Sequence, residues 1–302
     1  FYHMEVVFME FMHQILQQLI NGISLGSIYA LIALGYTMIY GIIKLINFAH
    51  GDIYMVGAYL GFYAITLGIP VVPAILISMA VTSLLGVLVE RFAYRPLRHA
   101  PRISVLITAI GVSFLLEYVM MAIVSPTPRT FPATISDVSF DVAGLIISGQ
   151  QLLIMGVTFV LMLILTYIVR STKIGKAMRA ASYDTEAAQL MGINANRIIS
   201  ITFAIGSALA AVAGVLIGIY YNSIDPLMGL MPGIKAFVAA VFGGIGILPG
   251  AVVGGLVLGI VEAFISGFGF SMFRDAAAFA ILILVLLLKP AGIFGKNVKE
   301  KV

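Results

Sequence analysis

The chain has 302 residues, 61% of them hydrophobic and only 10% charged, and its mean hydropathy is +1.12. A water-soluble domain of that length needs far more charged surface than this composition supplies, so a polytopic membrane protein is indicated and a soluble fold is excluded. The net charge of +4 sits in loops beside apolar spans, which encodes membrane orientation and gives no sign of nucleic-acid binding, and the lack of cysteine excludes disulfides, iron–sulfur clusters and thiol nucleophiles.

The apolar runs are about 15–25 residues long and do not alternate as barrel strands do, which predicts an all-α, polytopic transmembrane bundle of about eight or nine spans. Those spans fall at 14–40, 52–68, 70–89, 103–124, 150–169, 200–221, 231–247, 249–268 and 274–288, within one membrane domain covering 1–302. Residues 4–13 carry Glu5 and Glu10 where a signal peptide would carry positive charge, so no cleaved leader is expected there. The first span bears Asn21, Ser24 and Ser27 at a spacing that puts them on one helix face, either for close packing or to line a path, and a bend is possible near Gly35 or Gly41.

Asn47, His50 and Asp52 form a polar knot between the first two spans. No third ligand makes it a metal site, so hydrogen bonding and capping are expected, with Asn47 capping a turn at Phe48 and Asp52 capping the next span. Glu117, Lys235 and Glu262 fall inside later spans, where an ionisable group must face protein or a watery path; Lys235 can pair with either glutamate. The span holding Lys235 is short and glycine-rich, as a broken or re-entrant helix would be. Between 125 and 149 lies a long connection, opened by Pro126, Pro128 and Pro132, whose alternating stretch at 136–141 predicts a short hairpin or a strap across the mouth. Glycines at 214 and 218, 250 and 254, and 255 and 259 have the spacing of tightly packed membrane helices.

Most of the 17 lysines and arginines gather in three clusters: Arg91, Arg95, Arg98 and Arg102; the segment 170–197; and the basic tail 289–302 with Lys289, Lys296, Lys299 and Lys301. The positive-inside rule puts all three in the cytoplasm, with the C-terminus inside, the N-terminus outside and the 125–149 loop outside. Asp137, Asp141, Asp225 and Asp275 then make the outer face mildly acidic. The 170–197 segment is itself patterned. Lys173, Lys176 and Arg179 interleave with apolar residues at helical spacing, Asp184 suits the N-cap of a run to Met191, Gly192 suits its left-handed end, and a new helix starts near Asn194 or Asn196. Two short helices of this kind can sit in a groove on a soluble partner.

Glu186-Ala187-Ala188 followed by Gly192 resembles the EAA loop of bacterial ABC importer permeases. The segments at 21–27, 46–52, 90–98 and 242–246 closely resemble the first-permease subunit of the branched-chain amino acid permease family, and the similarity spans about 15–295. No Leu-Pro pair follows Gly192, a departure from the general loop pattern. The resemblance implies an inner-membrane importer of leucine, isoleucine and valine, built from this chain, a second homologous permease subunit, two cytoplasmic ATPase subunits and an extracytoplasmic amino-acid-binding protein. It makes Glu186, Ala187, Ala188 and Gly192, with Lys176 and Arg179, the candidate ATPase-coupling residues of a coupling loop at 170–197. The sequence contains no G-x-x-x-x-G-K-[ST] phosphate loop, so no cofactor is expected on this chain, and ATP and Mg belong on partner subunits. An ion-coupled secondary transporter or channel for small neutral solutes is the alternative; it would use the buried charges as its site and has no need of the loop.

Overall fold

The computed structural model describes residues 2–98, 100–132, 138–142 and 144–295. Asp137 of the acidic outer group and Lys296, Lys299 and Lys301 of the tail lie outside the described residues. The chain runs through helices α1 (Tyr2–Ile43), α2 (His50–Thr66), α3 (Val71–Val89), α4 (Arg102–Val124), α5 (Gly149–Ser171), α6 (Lys173–Tyr183), α7 (Thr185–Leu190), α8 (Ala195–Tyr221), α9 (Leu230–Gly243), α10 (Leu248–Gly267) and α11 (Arg274–Leu288). All nine predicted spans are helices. Among the described residues, 7 are long and apolar enough to cross a membrane, while α2 and α9 have 17 and 14 residues. At about 1.5 Å per residue, α9 rises only about 21 Å, less than the ~30 Å hydrocarbon layer, so the short segment expected around Lys235 is a short helix.

A π-helical turn, two 3-10 turns and four small strands complete the regular elements of the described residues. Strand β1 (Arg129–Thr130) pairs antiparallel with β4 (Ser223–Ile224), and β2 (Ser139–Val142) pairs with β3 (Leu145–Ser148) in the hairpin that the alternation at 136–141 predicts.

Helices α1 and α8 form the centre. The apolar stretches of both are largely enclosed, α10 and α9 packing on α1 and α2 and α3 on α8. Around them α3, α4, α5 and α11 turn large apolar side chains outward, including Leu84, Tyr118, Phe159 and Leu287. An apolar coat of this extent is stable only against lipid or another membrane subunit. The bundle is thus a polytopic helical membrane domain with a close-packed middle and an oily exterior.

Small residues let the central helices meet. A Cβ placed on Gly26 of α1 would lie 2.7 Å from the Leu256 Cα, and one on Gly22 would lie 2.6 Å from the Ile260 Cα, so α1 and α10 touch backbone to backbone. Gly255 and Gly259 face Ala30 and Gly26 from the other side, while Gly254 abuts Ala239 of α9 and Gly214 of α8 abuts Tyr54 of α2. The glycine spacing therefore marks packing. Gly26→Leu is expected to push the two helices apart and destabilise the chain by about 1–3 kcal/mol or more, seen as a lower midpoint of thermal aggregation in detergent.

Helix α1 runs as one helix through Gly35 and Gly41, and the space that Gly35 leaves is filled by the His50 imidazole. One local expectation is corrected: the Asn47 side chain does not cap the turn at Phe48, and Asp52 does not cap α2. Its N-cap is Ala49 without a side-chain bond; Asn47 is drawn instead to the buried Tyr94 hydroxyl, which donates to its Oδ1 at 2.8 Å, and Asp52 lies within the first turn, reaching across to α4.

Candidate functional site

The charged segment at 170–197 is an elbow of two short helices joined to two long ones, and local side chains define each joint. Thr172 caps α6, its Oγ1 accepting from the Gly175 amide at 3.1 Å. The Asp184 carboxylate caps α7, accepting from the amides of Glu186 and Ala187 at 2.9 Å each. Helix α7 ends in a paired closure, Gly192 N–H to the Gln189 carbonyl at 2.9 Å and Ile193 N–H to the Ala188 carbonyl at 3.0 Å, with Gly192 at φ +83°. Asn194 then caps α8 by accepting from the Arg197 amide at 3.1 Å. At each helix start a side chain satisfies one or two of the amides left over, and the closure at the α7 end satisfies two carbonyls, which helps to fix the elbow's shape.

The elbow has an inner and an outer face. Gly175, Met178, Ala181 and Ala188 are buried, and Gly175 allows α6 to lie directly on the last carbonyls of α5. Arg179 donates to the Val169 carbonyl at that same helix end, favourable for a cation at a helix C-terminus. Glu186, Ala187, Lys176 and Gly192 face outward. Beside them are three residues not singled out from the sequence: Tyr183, Leu190 and Met191, 96%, 89% and 83% exposed. Large apolar side chains this bare find no apolar cover within the chain. Their signal was present as apolar residues bracketing Glu186-Ala187-Ala188. Beneath α6, a cavity of about 290 Å³ opens between the ends of α1 and α5 and the loop at 245–248.

The ionisable residues inside the spans sort into two separate groups. Lys235, 4% exposed, pairs with Glu262 of α10 at 2.8 Å and with Asp275 of α11 at 2.6 Å. Tyr29 of α1 donates to the other Glu262 oxygen at 3.0 Å, and Arg274 approaches Asp275 at 3.5 Å. Four helices are tied by this cluster. Asp275, counted from the sequence with the acidic outer face, sits in the first turn of α11 and is part of it. Glu117 belongs elsewhere: it lies on α4 near Asp52 of α2, whose Oδ2 accepts from Ser113 of α4.

The remaining sequence candidates are buried or partly buried polar groups. Ser24 is fully buried, Ser27 bonds back to the Ile23 carbonyl at 2.7 Å, and Asn21 joins an amide group with Gln17, Gln18 and Gln151 beneath the β2–β3 hairpin. Gln17 also pairs with the Ile146 backbone through both its amide atoms. His50 is buried against Tyr36, ring centroids 4.6 Å apart. No group of three or more potential metal ligands occurs among the described residues.

A glycine-packed helical bundle in an apolar coat, with one charged elbow carrying a bare apolar tip, is a multi-pass membrane protein. The chain belongs to the branched-chain amino acid transport system / permease component family, whose sequence model matches residues 18–288. It is 48% identical over 301 residues to the high-affinity branched-chain amino acid transport system permease protein BraD of Pseudomonas aeruginosa, covering 95% of this chain and 98% of that one. The corresponding permease protein LivH of Salmonella typhi is 46% identical over 300 residues, covering 95% and 97% of the two chains. A probable branched-chain amino acid transport permease protein LivH of Methanocaldococcus jannaschii is 28% identical over 93% of this chain and 92% of its own.

Proposed function

We propose that this chain is a membrane-spanning subunit of an ATP-driven importer of leucine, isoleucine and valine, enclosing the conduit together with a second related permease chain. Two ATPase chains dock on the cytoplasmic elbow and an amino-acid-binding protein delivers substrate outside. Membership of the permease family supports the substrate class, and one observation carries the mechanism: the elbow presents Tyr183, Leu190 and Met191 to solvent around the capped α7 helix. ATP and magnesium are held by the partner chains, and what this chain supplies is a rigid lever. Push on α7 and the force reaches α8 through the closed turn at Gly192–Asn194, and α5 through the α6 contact.

The proposed orientation follows the basic clusters, with the elbow and the C-terminus in the cytoplasm of the inner membrane, the N-terminus and the hairpin outside, and lipid against α3, α4, α5 and α11. Translocation itself needs only weak handling of the zwitterion, since a chain with few ionisable groups in its spans releases cargo readily.

Affinity purification of the full chain from gently solubilised membranes, with mass identification of what accompanies it, tests the assembly. Two ATPase chains and a second permease are expected; a lone homo-oligomer that drives uptake from an ion gradient would sink the proposal. The docking face is tested by Leu190→Glu. Burying a leucine is worth about 1.5–3 kcal/mol, so this change is expected to weaken ATPase retention by roughly tenfold or more while the amount of inserted chain stays the same.

A further inference from the structure

The stroke received by the elbow must travel beyond α8, and a buried charged clamp lies at the point where α8 leaves it. Helix α3 ends in a π-helical turn at Glu90–Tyr94, followed by a short 3-10 turn at Arg95–Leu97. Glu90 is fully buried. One of its oxygens takes Arg98, with Arg95 at 3.9 Å, and the other accepts from the Ser200 hydroxyl of α8 at 2.6 Å. Arg98 also donates to Asn196, in the first turn of α8 and two residues beyond its Asn194 cap. From the same π-helical turn the buried Tyr94 packs on Phe203 of α8, ring centroids 5.3 Å apart, and donates to Asn47 between α1 and α2. Above the clamp, Gly86 of α3 abuts Ser207 and Phe203 of α8, leaving the two helices no slack.

We propose that Glu90 is a positioning residue that couples the elbow to the transmembrane helices, locking the start of α8 to the π-helical end of α3 and, through Tyr94, to the α1–α2 junction. The proposal deepens the reading of residues 172–192 as the ATPase contact and rests on it. A buried carboxylate shared by two arginines and a hydroxyl has discrete arrangements, held or released, and a π-helical turn is a place where a helix can shift register by one residue. Movement of α7 then reaches α3 and the α1–α2 junction as well as α8, so three elements of the conduit respond together.

The test uses the complete importer in proteoliposomes, with leucine uptake and ATP hydrolysis measured on the same vesicles. The wild-type chain must first bring down its ATPase chains; if it does not, the reading of the elbow fails and the clamp is not reached. With that met, Glu90→Gln is expected to keep the ATPase bound and basal hydrolysis within about twofold, while leucine moved per ATP falls about tenfold. Should Glu90→Gln fail to assemble, Ser200→Ala removes a single hydrogen bond and is expected to lower the same ratio about threefold, whereas Ser200→Thr, which keeps the hydroxyl, retains it. An unchanged uptake-to-hydrolysis ratio in Glu90→Gln or, where that variant does not assemble, in Ser200→Ala overturns the proposal. Equal losses in Ser200→Ala and Ser200→Thr overturn it as well, because packing and not the bond would then be responsible.

Discussion

Lys235→Met is expected to lower the stability of the folded chain by about 3–5 kcal/mol, because it strips the cation from two acids while leaving Glu262 enclosed. Glu262 is 1% exposed and keeps only the Tyr29 hydroxyl; Asp275 still has Arg274 at 3.5 Å and a half-open side chain, so the cost falls mainly on Glu262. The double variant Lys235→Met with Glu262→Met removes both enclosed charges. It is expected to recover most of the loss, since replacing a buried pair by apolar groups of similar volume is often neutral. Thermal aggregation of the detergent-solubilised chain, followed by size-exclusion chromatography, measures all three. If the single and double variants melt together, the cluster is not what ties α1, α9, α10 and α11.

Gly192→Val is expected to abolish coupled uptake while leaving all spans inserted and the ATPase present. A Cβ at Gly192 would meet nothing within 4 Å, so space is not the obstacle. The obstacle is φ +83°, which a β-branched residue adopts at a cost of about 1–3 kcal/mol, enough to open the closure that aims α7 relative to α8. Gly192→Asn makes the diagnostic comparison. Asparagine tolerates the left-handed region, so that variant is expected to retain uptake despite a larger side chain than alanine. Uptake per ATP in right-side-out vesicles, set against chain abundance, checks both. Full activity in Gly192→Val would remove the elbow from the mechanism.

The sequence carried the elbow almost completely. Asp184, Gly192 and Asn194 act through bonds to residues two to four positions away, so their roles follow from short-range rules about caps and left-handed turns. The spans were legible for a similar reason: hydrocarbon forces each crossing segment to satisfy its own backbone, so length and apolarity suffice to find it. The glycine spacing announced packing, although it did not say which helix would be met.

The partners of the buried polar groups were not legible. Lys235 had two glutamates to choose from, and its actual partners are Glu262 and Asp275, which was counted with the outer face, while Glu117 lies near Asp52. Asn47 and Asp52 are residue types that suit helix caps, yet Tyr94 and Ser113 claim them across the bundle. Glu90 gave no sign beyond its place in a motif, because its value lies in Ser200 and Arg98 arriving at one point. What the chain determines by itself is where it crosses the membrane and how its elbow at 170–197 folds, both local consequences of hydrophobicity and capping. Which charges meet is decided only in the assembled bundle, where a polar group excluded from water must take whichever partner the packing of distant helices brings within reach.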